Sequence, residues 1–273
     1  MNRDSTPTHD SCLCPEEKIR YGRHLVLPEV GKAGQEKLKA SRVLVVGLGG
    51  LGSPIGLYLT AAGIGHIGIV DFDRVELSNL QRQVLYATTD VHRSKLTATE
   101  ERLRSINPNV TLTCHEGPLI PENALPVLHP YDVVIDGTDS FGARYLINDT
   151  CVRLNKPFVY GSVYRFEGQV SVFQADKSPC YRCLFPAPPP PGSAPDPATD
   201  GLLNVLPGII GTLQTAEALK LLLGTGTPLF GRLLNYDALE ARFHEFKVPK
   251  DPACPSCGKN PSCPCLDEND ASS

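Results

Sequence analysis

Hydrophobic and polar positions along this chain follow two periods. The run "RVLVVG", beginning at Arg42, is apolar and β-branched almost throughout, the pattern of a strand buried on both faces of a parallel sheet. "IGIVDFD" at 67–73 and "YDVVIDGTD" at 131–139 repeat it. Between these two, "RSKLTATEERLRSINPNV" spaces Leu96, Leu103 and Ile106 along one helix face, and Asn107 with Pro108 closes the helix. Upstream, "PEEKIRYGRHLVLPEVGKAGQEKLKAS" also carries helix-like segments. Strand alternating with helix predicts an α/β fold with a doubly wound, mostly parallel sheet over the first half.

The second half is patterned differently. "KPFVYGSVYRFEGQVSVF" alternates apolar and polar residues about a glycine, as hairpin strands do, which adds a C-terminal antiparallel portion. Residues 186–201, within "FPAPPPPGSAPDPATDG", are too rich in proline for a regular element and read as a mobile crossover loop. "IIGTLQTAEALKLLLG" then returns as an apolar helix ended by Gly224. At 273 residues the chain can build a core unaided. The expected organisation is a disordered segment over 1–18, a single domain over 19–258 and a flexible tail over 259–273.

Charge narrows the functional classes only by exclusion. The net charge is −4, with both signs interspersed, so no nucleic-acid or membrane surface is indicated. The polar start and the lack of a long apolar run give neither a leader nor a membrane span, and a cytoplasmic location is expected. In that reducing setting ten cysteines read as metal ligands or redox groups before disulfides.

In "GLGGLG", Gly47, Gly49 and Gly52 fit the spacing of a Rossmann-like turn in which backbone N–H groups at a helix start approach a phosphate. Asp71 ends the next strand, where such folds set a carboxylate against ribose hydroxyls. By itself the pattern suits NAD as well as ATP. No Lys-Ser/Thr follows the glycines, so a triphosphate must find its cations elsewhere. Arg82, with Asn79 before it, and Lys95 lie suitably placed. Asp136 and Asp139 end the third strand at the edge where α/β sheets bind ligands, and Asp139 suits Mg²⁺ or a loop cap.

The strongest chemical signal is a pair of C-x-x-C knuckles, Cys180 with Cys183 and Cys254 with Cys257. Four thiolates fill the coordination sphere of one tetrahedral ion, which makes a zinc bound there structural. Cys263 and Cys265 in "SCPC" add no clear reading.

Together, "RYGRHLVLPEVGKAGQEKL", "GLGGLGSP", "DFDRVELSNLQRQ", "GTDSFGARY", "EGQVSVF", "PCYRCLFP" and "CPSCG" resemble the MoeB/ThiF/HesA family, relatives of ubiquitin-activating enzymes, from about Ile19 to Cys257. The resemblance implies an adenylyltransferase that uses ATP and Mg²⁺ to adenylate the C-terminal glycine of a ubiquitin-fold sulfur carrier ending in Gly-Gly. Pyrophosphate is the implied leaving group, in thiamine, molybdopterin or tRNA thiolation pathways. It further implies Gly50 in the nucleotide loop, Asp71 on the ribose, and Ser78, Asn79, Leu80, Gln81 and Arg82 along the nucleotide. Lys95 would contact phosphate, Asp139 and Ser140 would serve the Mg²⁺ region, and Arg23 would enter the site of a partner in a homodimer. The paired cysteines match the family's zinc site, and the sulfur donor is expected to be a separate protein.

Three positions depart from the family pattern. Pro197 replaces a loop cysteine, which implies adenylation without a covalent carrier link at this loop. His92 replaces a glycine before the phosphate lysine, and Ser140 replaces an asparagine. Two other readings compete: an NAD-dependent oxidoreductase, for which the chain offers no evident hydride-transfer acid or base, and a degenerate carrier-binding scaffold. Arg23, Arg82, Lys95 and Asp139 all being present argues against the scaffold.

Overall fold

The computed structural model describes residues 12–190 and 197–267. Eight strands run in chain order: β1 (Arg42–Val46), β2 (His66–Asp71), β3 (Thr111–Glu116), β4 (Val133–Asp136), β5 (Phe158–Tyr164), β6 (Glu167–Phe173), β7 (Arg232–Asp237) and β8 (Arg242–Lys247). They form one sheet in the order β3-β2-β1-β4-β5-β6-β7-β8. The first five pair in parallel, and β6, β7 and β8 continue antiparallel. The expected α/β sheet with its antiparallel C-terminal portion is present, and strand order reverses between β1 and β4.

Ahead of β1 lie helices α1 (Pro15–Arg20), α2 (Gly22–Leu25) and α3 (Gly31–Ala40). Between strands run α4 (Gly52–Ala62), α5 (Lys95–Ile106), α6 (Pro121–Leu128) and α7 (Phe141–Leu154). After β6 come α8 (Tyr181–Leu184), α9 (Pro197–Asp200) and α10 (Leu206–Leu223), and α11 (Pro264–Asp267) follows β8. Helix α5 ends at Asn107 and α10 at Gly224, whose φ of 71° gives the left-handed cap that its sequence position predicts.

Both faces of the parallel core are covered. Val43, Val45, Ile67, Ile69 and Ile135 pack with Ile55, Leu59 and Ile210, the last three from α4 and α10. Leu44, Val46, Val70 and Val134 point the other way and meet Tyr145, Ile147 and Tyr181. Alternate residues of one strand thus serve opposite cores, which is why the strand sequences read as continuous apolar runs.

Three expected boundaries shift. Residues 15–18, expected to be disordered, belong to α1, and Leu13 before it is buried. The crossover ends in a regular turn of helix, α9, rather than remaining irregular to residue 201, and Tyr164 donates to Asp200 at 3.1 Å. The tail is packed beyond residue 259: Cys263 is buried, and the Cys265 N–H donates to Asp149 Oδ2 at 3.0 Å. Residues 1–11, 191–196 and 268–273, to which the remaining expectations of disorder refer, lie outside the described residues.

Candidate nucleotide site and metal centre

A cavity of about 410 Å³ opens at the carboxyl ends of β1, β2 and β4. This is the switch point where strand order reverses, the usual ligand position in open α/β sheets. Its walls include Gly47, Gly49 and Gly50 from the glycine turn, Asp71 from β2, Arg82, Lys95 from the start of α5, and Asp139 and Ser140 before α7.

The glycines act by close approach. Gly47 has φ +89°, and a Cβ there would lie 2.8 Å from the Gly137 carbonyl carbon, so only glycine lets β1 turn against the end of β4. A Cβ on Gly52 would sit 2.0 Å from Gly47 O, so Gly52 lets α4 start directly behind the turn and does not itself line the cavity.

Carboxylates frame the opening. Asp71 Oδ2 accepts the Leu48 N–H at 2.7 Å and Oδ1 accepts the Asp73 N–H at 2.8 Å. Asp71 therefore ties the glycine turn to the end of β2 while lining the cavity. Lys95 is buried, and its Nζ donates to Asp73 Oδ2 at 2.8 Å. Asp139 is exposed at the cavity edge and has no hydrogen-bond or ionic partner among the described residues. The Ser140 hydroxyl accepts the Ala143 N–H at 3.3 Å as the cap of α7, a role its position before a helix explains.

Behind this rim lies a buried ion pair. Arg144 Nε donates to Asp136 Oδ2 at 3.0 Å, and Asp136 Oδ1 accepts both the Thr138 N–H and hydroxyl. Burial alone would lower the Arg144 pKa, but the adjoining Asp136 carboxylate outweighs it and raises that pKa, so the guanidinium stays charged. The pair fixes the turn from β4 into α7 that presents Asp139.

Other expected positions do not line this cavity. Ser78 and Gln81 are exposed, Leu80 packs against a small core with Leu85 and Leu103, and Asn79 Oδ1 accepts the Glu76 N–H at 3.2 Å. Arg82 reaches the cavity, with Nη1 donating to Ser78 O at 3.2 Å. Arg23 is exposed on α2, outside the cavity lining and unpartnered among the described residues. Gln83, Asp73 and Arg144 line the cavity although the sequence singled out none of them. A polar residue two after a strand-ending Asp was the available signal for Asp73; for the others burial alone reveals the role.

The second centre is the cysteine cluster. The sulfurs of Cys180, Cys183, Cys254 and Cys257 all lie within 4.8 Å of one another, with separations of 3.5 Å between Cys180 and Cys254 and 3.4 Å between Cys183 and Cys257. A tetrahedral zinc with Zn–S bonds of about 2.3 Å requires S···S edges of roughly 3.8 Å, so the donor set fits that ion. Beside it, Arg182 pairs with buried Asp149 through two hydrogen bonds of 2.9 Å, and Asp149 Oδ1 also accepts the Ser256 hydroxyl at 2.6 Å. Arg182 further donates to Cys265 Sγ at 3.1 Å. The two knuckles and the final helix are thereby tied to α7.

The ThiF family model matches residues 21–256. The chain belongs to the ThiF family. Within it, the chain is 52% identical to a sulfur carrier protein adenylyltransferase of Thermus thermophilus, covering 90% of this chain and 93% of that protein. It is 49% identical to a probable adenylyltransferase/sulfurtransferase MoeZ of Mycobacterium tuberculosis, with 90% of this chain aligned to 64% of the longer relative. Among solved structures, E. coli MccB with MccA-N7isoASN superposes with a TM-score of 0.78 at 23% identity, over 88% of this chain and 75% of that one, which establishes the shared fold. No described helix is long and apolar enough to cross a membrane.

Proposed function

We propose that this chain uses ATP and Mg²⁺ to adenylate the C-terminal glycine carboxylate of a ubiquitin-fold sulfur carrier, releasing pyrophosphate. The chain is an adenylyltransferase of the ThiF family. The observation that carries the finer reading is the joining, in one cavity, of the glycine turn, buried Lys95, Arg82 and Asp139, which has no partner among the described residues.

The chemistry suits these groups. A peptide C-terminal carboxylate, with a reference pKa of about 3.5, is already ionised at neutral pH and needs no general base. Its oxygen attacks the α-phosphorus, the bond to the bridging oxygen of pyrophosphate breaks, and that oxygen leaves with the electron pair. Two anions must be brought together, so alignment and positive charge carry the catalysis. Lys95 and Arg82 supply charge from within the chain, and Arg23 supplies it to the partner's site in a homodimer. Exposed apolar residues Ile19 and Val26 on and beside these helices support such an interface. Asp71 orients the ribose with the acceptor capacity left beyond its two N–H bonds. Asp139 would hold Mg²⁺, which when bound neutralises phosphate charge. Cys180, Cys183, Cys254 and Cys257 would hold zinc in a structural role. A separate protein donates the sulfur, the work is cytoplasmic, and the product acyl adenylate serves a thiamine, molybdopterin or thionucleoside pathway.

Incubation with ATP, Mg²⁺ and each Gly-Gly-ending carrier, followed by intact-mass analysis, tests the reading. It predicts one carrier gaining an AMP moiety. A preference for NAD over ATP in binding titrations would favour an oxidoreductase instead.

A further inference from the structure

The polar side chains of the segment Arg20–His24 divide sharply. Arg20 Nη1 donates to Ile106 O at 2.9 Å. The Tyr21 hydroxyl accepts an N–H of Asn107 Nδ2 at 2.8 Å. His24 Nδ1 donates to Gln35 Oε1 at 2.9 Å. Arg23, between them, is exposed and has no hydrogen-bond or ionic partner among the described residues.

The bonds of Tyr21 and His24 converge on the carboxyl end of α4. Gln35 Nε2 donates to Ala62 O at 2.8 Å and Asn107 Nδ2 to Thr60 O at 3.0 Å, so both amides satisfy carbonyls that the last turn of that helix leaves free. Tyr21 is only 4% exposed, and its phenol lies against Gly63, which ends α4 with φ 81° and where a Cβ would collide with the ring. Three residues apart, Tyr21 and His24 share one face of α2, and Arg23 lies off that face. A helix of four residues has no stability of its own, so the orientation of α2 is owed to these two attachments. The result is a short arm stapled to the body of its own chain, with a free cation projecting from it and the exposed apolar side chains of Ile19 and Val26 to either side.

We infer that Tyr21 and His24 are positioning residues for the adenylation: by fixing α2 to the end of α4 they aim Arg23 out of its own chain and into the partner's cavity. This inference rests on the adenylation reading and on the homodimer within it, and adds how that arginine is held. It carries a specific asymmetry. Damage to the staple disables the site on the neighbouring chain and leaves the site on the same chain able to work.

The test uses full-length chains, alone and as mixed dimers, with exchange of labelled pyrophosphate into ATP in the presence of a cognate carrier. Tyr21→Leu and His24→Ala, each checked for folding by its thermal midpoint, should exchange at about a tenth of the wild-type rate or less, the scale of a misplaced charged group. His24→Asn, whose amide can donate from near the place of Nδ1, should keep most of the rate. Each impaired variant is then mixed with Lys95→Ala. In a mixed dimer the site with an intact Lys95 receives Arg23 from the Lys95→Ala chain, whose staple is whole. Exchange should return to about a quarter of wild type when chains assort at random into symmetric dimers. A side chain needed only for the fold of its own chain would give no such return. Wild-type rates in both Tyr21→Leu and His24→Ala overturn the inference. So does the absence of recovery on mixing, when a control mixture of Arg23→Ala with Lys95→Ala does recover. No recovery in that control removes the role of Arg23 in the partner's site and the inference with it. A wild-type chain without exchange removes the adenylation reading beneath both.

Discussion

Lys95 Nζ lies 2.8 Å from Asp73 Oδ2, joining a lysine side chain that is 6% exposed to a carboxylate that is 53% exposed. The buried cation is thus held at the cavity wall by a partner that water already reaches. On the proposed adenylation, a phosphate would replace Asp73 as the counter-ion while Asp73 turned into solvent at little cost. Lys95→Ala should therefore lower carrier-dependent adenylation by about a hundredfold or more, the scale of losing a transition-state charge contact. Its thermal midpoint should stay close to wild type, since the orphaned carboxylate is already solvated. Steady-state rates with thermal melts check both halves of this outcome.

The cysteine cluster predicts a zinc-dependent fold. Metal analysis of the purified chain should find zinc, and Cys257→Ser should lose it along with several degrees of thermal stability. A fully stable, metal-free protein would contradict the assignment. The cluster lies outside the cavity lining, so partial zinc loss should reduce the amount of folded protein before it changes ATP affinity per folded molecule.

Acid sensitivity should centre on Asp149. Burial pushes its carboxyl pKa up, but hydrogen bonds from Arg182 and Ser256 and from the Cys265 N–H outweigh burial and hold it below the ordinary carboxylate value. A depressed folded pKa gives stability that is fully present above the unfolded pKa, near 3.9. That stability is lost as pH falls through the folded value. Asp149→Asn should accordingly flatten the acid limb of a stability–pH curve while lowering stability at neutral pH by roughly 3 kcal/mol. Denaturant melts between pH 7 and pH 3 read both effects.

His92 occupies the left-handed region with φ 71°, and its N–H and carbonyl are both used, donating to Val75 O at 2.8 Å and accepting from Arg74 Nη1 at 2.7 Å. This explains why family resemblance places glycine here. The histidine carries a backbone cost that glycine avoids, partly offset by glycine's freer unfolded chain. His92→Gly should stabilise the protein by about 0.5–1 kcal/mol. A urea midpoint equal to or below wild type would contradict that reading.

The hydrophobic pattern revealed β1, β2 and β4 because both faces of those strands are buried. It did not reveal β3 or β8, which lie at the two edges of the sheet. β8, "RFHEFK", is exposed along its whole length, and "TLTCHE" in β3 is at most half-buried, so each is a strand through backbone pairing with a neighbour that sequence periodicity does not record. Helix α7 was hidden for a different reason: it buries Arg144, Asn148 and Asp149 in hydrogen-bonded networks and has no clean apolar stripe. The same distinction runs through the site. Gly47, Asp71 and the four paired cysteines follow from spacing, because turn geometry and metal coordination impose fixed intervals, whereas Lys95 stands out through the family resemblance. Asp73 and Gln83 reach the cavity through the tertiary fold, which sets Asp73 beside Lys95, and no interval encodes that.

The central claim is that the cavity activates a carrier carboxylate with ATP. Exchange of labelled pyrophosphate into ATP, with Mg²⁺ and one Gly-Gly-ending carrier at a time, tests it most directly, because the exchange requires reversible formation of the acyl adenylate. The account predicts exchange that appears only with a cognate carrier and disappears in Lys95→Ala. A folded, zinc-loaded, ATP-binding chain that gives no exchange with any carrier would contradict it and leave a carrier-binding scaffold in its place.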